Sequence, residues 1–183
     1  MKVLGLSGSL RRDSHNTRLL LGAGRLLPSG TELEVFDQLS SIPPYNEDEE
    51  HRTPPAVAAL KRAIAGADVV LVATPEYNAS IPGVLKNALD WVSRPVADSP
   101  LKGKPAAVIG ASTGLFGAVW AQAETRKVLS TIGAQVVDRE LPVGQADEAL
   151  GEDGLPVDRD MVEALSATLD ELIELARPER IAA

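Results

Sequence analysis

The sequence predicts an α/β protein with a five-stranded parallel sheet, strand order 2-1-3-4-5, covered by helices on both faces. Three observations lead there. Short apolar runs recur along the 183 residues, and stretches with helical periodicity separate them. The central runs show little polar alternation, as expected of strands buried on both faces. Turns rich in small, polar or proline residues follow three of the runs, where open sheets of this kind hold their ligands.

The first strand is Val3 to Leu6, and the second, Leu33 to Phe36, alternates enough to suit an edge. Val69 to Ala73 is the least interrupted run, followed by Ala106 to Gly110 and Ala134 to Val137. Between them a helix is predicted from near Ser14. Another enters at Pro54 with Thr53 as cap, carries Val57, Leu60, Ala63 and Ile64 at helical spacing, and stops at Gly66. Ser80 and Pro82 restart a helix that runs through Trp91, and the stretch after Gly117 ends at Gly133. The last helix starts near Asp158, with Met161, Leu165, Leu169, Leu172 and Ala176 along one face. Strand and helix in alternation mean right-handed parallel crossovers. The connections holding Glu47 to Glu50 and Gln145 to Pro156 read as solvated loops.

A chain of 183 residues is expected to form one domain over 1–183, with 44% hydrophobic and 24% charged residues in the ordinary globular range. Its 18 lysines and arginines against 26 acids give a net charge of −8. That sign disfavours phosphate backbones and anionic lipid as partners. The chain has no cysteine, which removes disulfides, thiolate nucleophiles and thiolate metal sites together. Its two histidines, His15 and His51, lie far apart and form no metal or triad constellation. No apolar run reaches the roughly 20 residues of a bilayer span, and the first residues do not resemble a signal peptide. A cytoplasmic protein is expected.

Three loops carry the chemistry. After the first strand comes Gly5-Leu6-Ser7-Gly8-Ser9-Leu10-Arg11-Arg12-Asp13-Ser14-His15-Asn16-Thr17. Its glycines admit a ligand to the backbone. Ser9, Ser14 and Thr17 supply hydroxyls, Asn16 an amide and Arg11 a cation, all at a helix N-terminus: a phosphate cradle. Neither a Walker loop nor the dinucleotide G-x-G-x-x-G spacing is present. After the third strand, Pro75 stops the run and Glu76-Tyr77-Asn78 forms an exposed lip, where a tyrosine ring can meet a flat ligand. After the fourth strand, Ser112-Thr113-Gly114 permits close backbone approach. In the order 2-1-3-4-5 the winding reverses between strands 1 and 3, so these loops converge there. One phosphate loop and two ring-binding loops outline FMN.

The segments Gly8-Ser9-Leu10-Arg11, Ser14 and Asn16, then Pro75-Glu76-Tyr77-Asn78, Pro82-Gly83, Leu85-Lys86-Asn87-Ala88 and Asp90-Trp91, closely resemble the NAD(P)H-dependent FMN reductase family of flavodoxin-like proteins. This family includes quinone, chromate and azo-dye reductases. The resemblance covers nearly the whole chain and implies a flavodoxin-like three-layer sandwich. It assigns Ser9, Arg11, Ser14, Asn16 and Thr17 to the FMN phosphate. Pro75, Glu76, Tyr77 and Asn78, with Ser112, Thr113 and Gly114, would border the isoalloxazine ring. Members often carry a second glycine and an arginine after the Gly117 position; here Ala118-Val119-Trp120 stands instead, while Gln122 and Arg126 keep the later pattern.

The implied activity passes electrons from NADPH or NADH through FMN to quinones, free flavin or similar acceptors, in ping-pong fashion. The flavin carries the chemistry, so no side chain is named as an obligatory catalyst. A flavodoxin-type electron carrier and a cofactor-free phosphate-binding domain are the alternatives. A homodimer or homotetramer is expected, because apolar residues of the Pro82–Trp91 helix and its continuation (Val84, Leu85, Ala88, Leu89, Trp91 and Val92) cover more than one face.

Overall fold

The computed structural model of the chain describes residues 1–177; the last six residues of the expected domain, 178–183, lie outside them. In chain order the elements are β1 (Lys2–Ser7), α1 (His15–Gly24), β2 (Glu32–Phe36), α2 (Pro55–Gly66), β3 (Val69–Thr74) and α3 (Gly83–Val92). They continue with β4 (Pro105–Ala111), α4 (Val119–Ile132), β5 (Gln135–Val136), β6 (Pro142–Val143), α5 (Ala146–Ala149) and α6 (Arg159–Leu175). The sheet runs β2-β1-β3-β4-β5, all parallel, in the order the sequence predicts.

β3 and β4 are buried along their whole length. Alternate residues of β3 feed separate cores because strand side chains alternate between faces. Leu71 and Ala73 pack with Leu19 and Leu20 of α1 and with Leu165, Leu169 and Leu172 of α6. Val70 and Val72 pack with Leu60 and Ile64 of α2, Leu85 and Leu89 of α3, and Leu129 of α4. These two layers of helix on one sheet make the three-layer sandwich of a flavodoxin-like fold. Each fully buried leucine contributes about 1.5–3 kcal/mol of transfer free energy, so neither layer is dispensable.

The far edge departs from the expected strand Ala134–Val137. Its place is shared by two short pieces: β5 pairs the beginning of β4, and β6 pairs the end, Gly110 with Pro142 and Ala111 with Val143. Asp138-Arg139-Glu140 breaks the run, and these charged residues stay in solvent. Gln122 of α4 closes the gap. Its Nε2 donates to the Leu141 carbonyl at 3.1 Å, and its Oε1 accepts from the Leu141 N–H at 3.0 Å.

Other local expectations are also adjusted. Thr53 does not cap α2, whose N-cap is Pro54 with no side-chain bond. Gly66 ends that helix without entering the left-handed region, whereas Gly133, at φ 104°, ends α4 as expected. Ser80 does not cap α3, which begins after Pro82. The acidic stretch is a 3-10 turn, Glu47–Arg52, and the later polar connection contains α5. Leu85, Ala88, Leu89, Trp91 and Val92 of α3 are all buried within the subunit. The surplus apolar face expected on this helix is therefore spent on the sheet. Among the described residues no helix is long and apolar enough to cross a membrane.

Candidate active site at the strand 1–strand 3 switch point

Parallel register brings the carboxyl ends of the central strands to one edge: Ser7 lies opposite Ala73, and Thr74 opposite Gly110. β1 leads away to β2 on one side, and β3 leads to β4 on the other. A cleft of about 420 Å³ opens between their loops. Nine of the twelve residues singled out from the sequence line it: Ser9, Arg11, Ser14, Asn16, Pro75, Glu76, Tyr77, Ser112 and Thr113. His15 and Ala111 line it as well, and sequence reasoning missed both as site residues. The small Ala111 carries no chemical signal, and His15 reads as an ordinary helix-start residue.

The first loop is held close to the second. The Gly8 N–H donates to the Ala73 carbonyl at 2.8 Å, and a Cβ on Gly8 would stand 3.1 Å from Leu85 and 3.2 Å from Pro75. Glycine here lets two protein loops touch. Ser14 is the N-cap of α1, its hydroxyl oxygen accepting from the Thr17 N–H at 3.2 Å. The Ser14 hydroxyl hydrogen remains to be donated. The N–H groups of His15 and Asn16 donate to no acceptor among the described residues, as the first turn of a helix requires. Ser9 accepts from the Arg11 N–H at 3.4 Å. The Arg11 guanidinium reaches only the Asp13 carbonyl, at 3.5 Å, and pairs with no carboxylate among the described residues. These donors belong to residues that line one cleft, and Arg11, with no carboxylate partner among the described residues, lines it beside them in a chain of net charge −8.

Asn16 also has a structural part that the sequence does not predict. Its side chain is buried, with Nδ2 donating to the Ala111 carbonyl at 2.8 Å and Oδ1 accepting from the Ala111 N–H at 2.9 Å. One Nδ2 hydrogen and the Oδ1 are thus engaged in tying α1 to the end of β4, which leaves the second Nδ2 hydrogen to donate. Thr17 is not in the cleft wall; its hydroxyl bonds that of Ser7 at 2.8 Å. His15 Nε2 stands 3.1 Å from an Asp147 oxygen, and its buried Nδ1 has no partner among the described residues. The cradle wall therefore keeps one hydrogen-bonding position open.

The second loop is a tight turn, with Asn78 and Ala79 at φ 55° and 57° and reciprocal backbone bonds between Tyr77 and Ser80 at 3.2 Å. It presents the Tyr77 side chain, 49% exposed, at the rim, whereas Asn78 sits in the turn and does not line the cleft. The third loop is fixed from behind. Ser112 donates its N–H to Val143 at 3.0 Å, and Gly114, outside the cleft wall, accepts from the Gln145 N–H at 2.9 Å. Beyond it, the Phe116 and Trp120 rings meet edge to face, 5.2 Å apart, both substantially exposed.

An anion cradle, a planar lip and a small-residue loop at the switch point define a flavodoxin-like nucleotide-binding protein. The chain matches the NADPH-dependent FMN reductase family over residues 1–148. It is 43% identical over 174 residues to an NAD(P)H-dependent FMN reductase of Pseudomonas aeruginosa, covering 94% of this chain and 93% of the relative. It is 36% identical to a 2-hydroxy-1,4-benzoquinone reductase of a Burkholderia species, covering 99% of each chain. The solved structure of a flavoenzyme NAD(P)H:acceptor oxidoreductase from Paracoccus denitrificans superposes with a TM-score of 0.83 at 36% identity, over 96% of both chains. The chain belongs to the NADPH-dependent FMN reductase family and is an oxidoreductase.

The Asn16–Ala111 pair yields a stability prediction. Asn16→Ala leaves a buried N–H and a buried carbonyl unpaired, so it should cost about 2–4 kcal/mol in urea unfolding. Thr17→Ala, which removes one neutral bond, should cost about 1 kcal/mol.

Proposed function

We propose that this chain is a single-domain, cytoplasmic FMN-dependent NAD(P)H oxidoreductase that reduces quinones, free flavin or similar acceptors by a ping-pong course. The observation that carries the reading is the convergence of Arg11, free of any carboxylate partner among the described residues, with the unpaired N–H groups at the start of α1. A phosphate ester satisfies these donors together and brings the charge that the helix dipole favours.

In this reading Ser9, Arg11 and Ser14 hold the phosphate through side chains, and His15 and Asn16 through their backbone N–H groups. Asn16 also fixes the cradle against β4. Pro75, the Glu76 backbone and Tyr77, with Ser112 and Thr113, border the ring; Thr17, Asn78 and Gly114 support these loops from behind. Bound FMN supplies the redox chemistry, taking two electrons from the nicotinamide and passing them to the acceptor. The protein orients the ring and leaves one face open beside Tyr77. Donor and acceptor then use that face in turn. An open, flat site selects planar electron-poor molecules by shape.

The functional unit in this proposal is a homodimer or homotetramer. Support comes from exposed large apolar side chains at or after the three loops: Leu10, Tyr77 on the cleft wall, Leu115, and the paired Phe116 and Trp120. A second copy seated there would cover apolar surface and screen the site from water.

Three measurements follow. Arg11→Ala removes a charge-assisted bond, so FMN affinity should fall about 10- to 100-fold, while riboflavin binding should hardly change. Equal losses for both ligands would remove Arg11 from the phosphate site. Initial rates with NADPH and a benzoquinone should give parallel double-reciprocal lines; intersecting lines with an isolable ternary complex would show two separate substrate places. Light scattering at assay concentration should report two or four times the subunit mass, and a fully active monomer would reject the shared rim.

A further inference from the structure

The start of α4 is irregular and has no cap of its own. Gly117 and Ala118 both lie in the left-handed region, at φ 57° and 60°, and the N-cap residue Ala118 offers no side-chain acceptor. The acceptor comes from another loop. Glu76 Oε2 takes the N–H of Trp120 at 3.0 Å and that of Ala121 at 3.1 Å, across 44 and 45 residues of sequence. A carboxylate at a helix N-terminus meets both the orphan donors and the positive end of the dipole. A second link runs beside it, from the Ser80 hydroxyl to Glu124 of α4 at 2.5 Å. Two left-handed pairs therefore face one another across this clasp, Asn78-Ala79 in the Tyr77 turn and Gly117-Ala118 at the helix start. Left-handed non-glycine residues such as Ala79 and Ala118 persist where surrounding contacts hold them.

We propose that Glu76 is a positioning residue whose carboxylate locks the Tyr77 turn to the start of α4, so that Tyr77 on the cleft wall and the Phe116–Trp120 pair beyond it are held as one rigid unit. Its side chain acts on α4 and not on the bound cofactor. Tyr77 follows Glu76 directly, and Trp120 supplies one of the two N–H groups, so both aromatic walls are one residue or less from the clasp. Without it only the Ser80–Glu124 bond joins the turn to α4, and ligands meet a looser rim. The kinetic consequence rests on the FMN reading above; the structural clasp does not.

The test is amide hydrogen exchange on the full chain, with and without FMN, for Glu76→Ala and Glu76→Gln, together with FMN affinity and steady-state rates. In Glu76→Ala the Trp120 and Ala121 amides should exchange about tenfold faster, while the interior amides of α4 stay protected. Glu76→Gln keeps a carbonyl oxygen as acceptor and should restore that protection. With NADPH and a benzoquinone, kcat in Glu76→Ala should fall roughly tenfold or more from misplacement of the rim, with FMN affinity falling less than in Arg11→Ala, and Glu76→Gln should recover most of the rate. If Glu76→Ala fails to fold, Glu76→Asp, whose reach is one methylene shorter, should show the same selective exchange. Unchanged exchange at Trp120 and Ala121 in the folded variant would overturn the clasp. A rate that falls equally in Glu76→Gln while its amides stay protected would overturn the positioning role and place the charge at the ligand. Failure of wild-type protein to bind FMN would instead defeat the reading of the cleft, and the exchange data would still decide the clasp.

Discussion

The N-terminus of α1 has to sit beside the end of β4 for any cleft to exist, and one side chain holds it there. Asn16 offers both halves of its amide to both halves of the Ala111 peptide group, in a buried setting where an unpaired group would be expensive. The first turn of α1, with its unpaired N–H groups, is thereby held against the loop that carries Ser112 and Thr113. Gln122 does the same for Leu141, and Glu76 does it for Trp120 and Ala121. At three places where backbone ladders or caps stop, a side chain takes over the missing partner. The rigid sheet sets the position of the loops, and these polar contacts set their mutual distance.

Charge works at the same edge on a smaller scale. The chain as a whole is acidic, with a net charge of −8, yet Arg11 stands at the mouth of the cradle without a carboxylate partner among the described residues. Local donors therefore override the global sign for a small anion, while a long polyanion would still meet an unfavourable field. The rim differs from the cradle in character. Beyond the Ser112 loop the exposed rings of Phe116 and Trp120 pair edge to face, so the surface there is apolar and aromatic.

Much of this was legible in the sequence because burial on both faces leaves a plain mark. Val69 to Ala73 and Ala106 to Gly110 read as strands covered on both faces, the structure extends them only to Thr74 and to Pro105 and Ala111, and their order fixes which loops meet. The split edge was not legible, since β5 and β6 have two residues each and depend on Gln122 from another element. Residue types singled out Ser9, Arg11 and Ser14, which line the cleft, but could not say that the Asn16 amide brackets Ala111. That is a contact across 95 residues. The Glu76 clasp was hidden for the same reason: Ala118 at a helix start signals no cap, and nothing local says the acceptor comes from the β3 loop. Apolar residues on several faces of α3 looked like surplus, and the second core layer absorbs them. Sequence periodicity reads burial well; it does not read which distant partner a polar side chain will choose.

The central claim is that this cleft accepts electrons directly from a nicotinamide. An anaerobic titration of the FMN-loaded protein with NADPH, and separately with NADH, followed by visible absorbance, addresses it without needing an acceptor. The account predicts rapid bleaching of the oxidised flavin bands with one equivalent of at least one donor, and recovery on adding a benzoquinone. A flavin that stays oxidised with both donors, while chemical reductants bleach it, would mark an electron carrier and contradict the account.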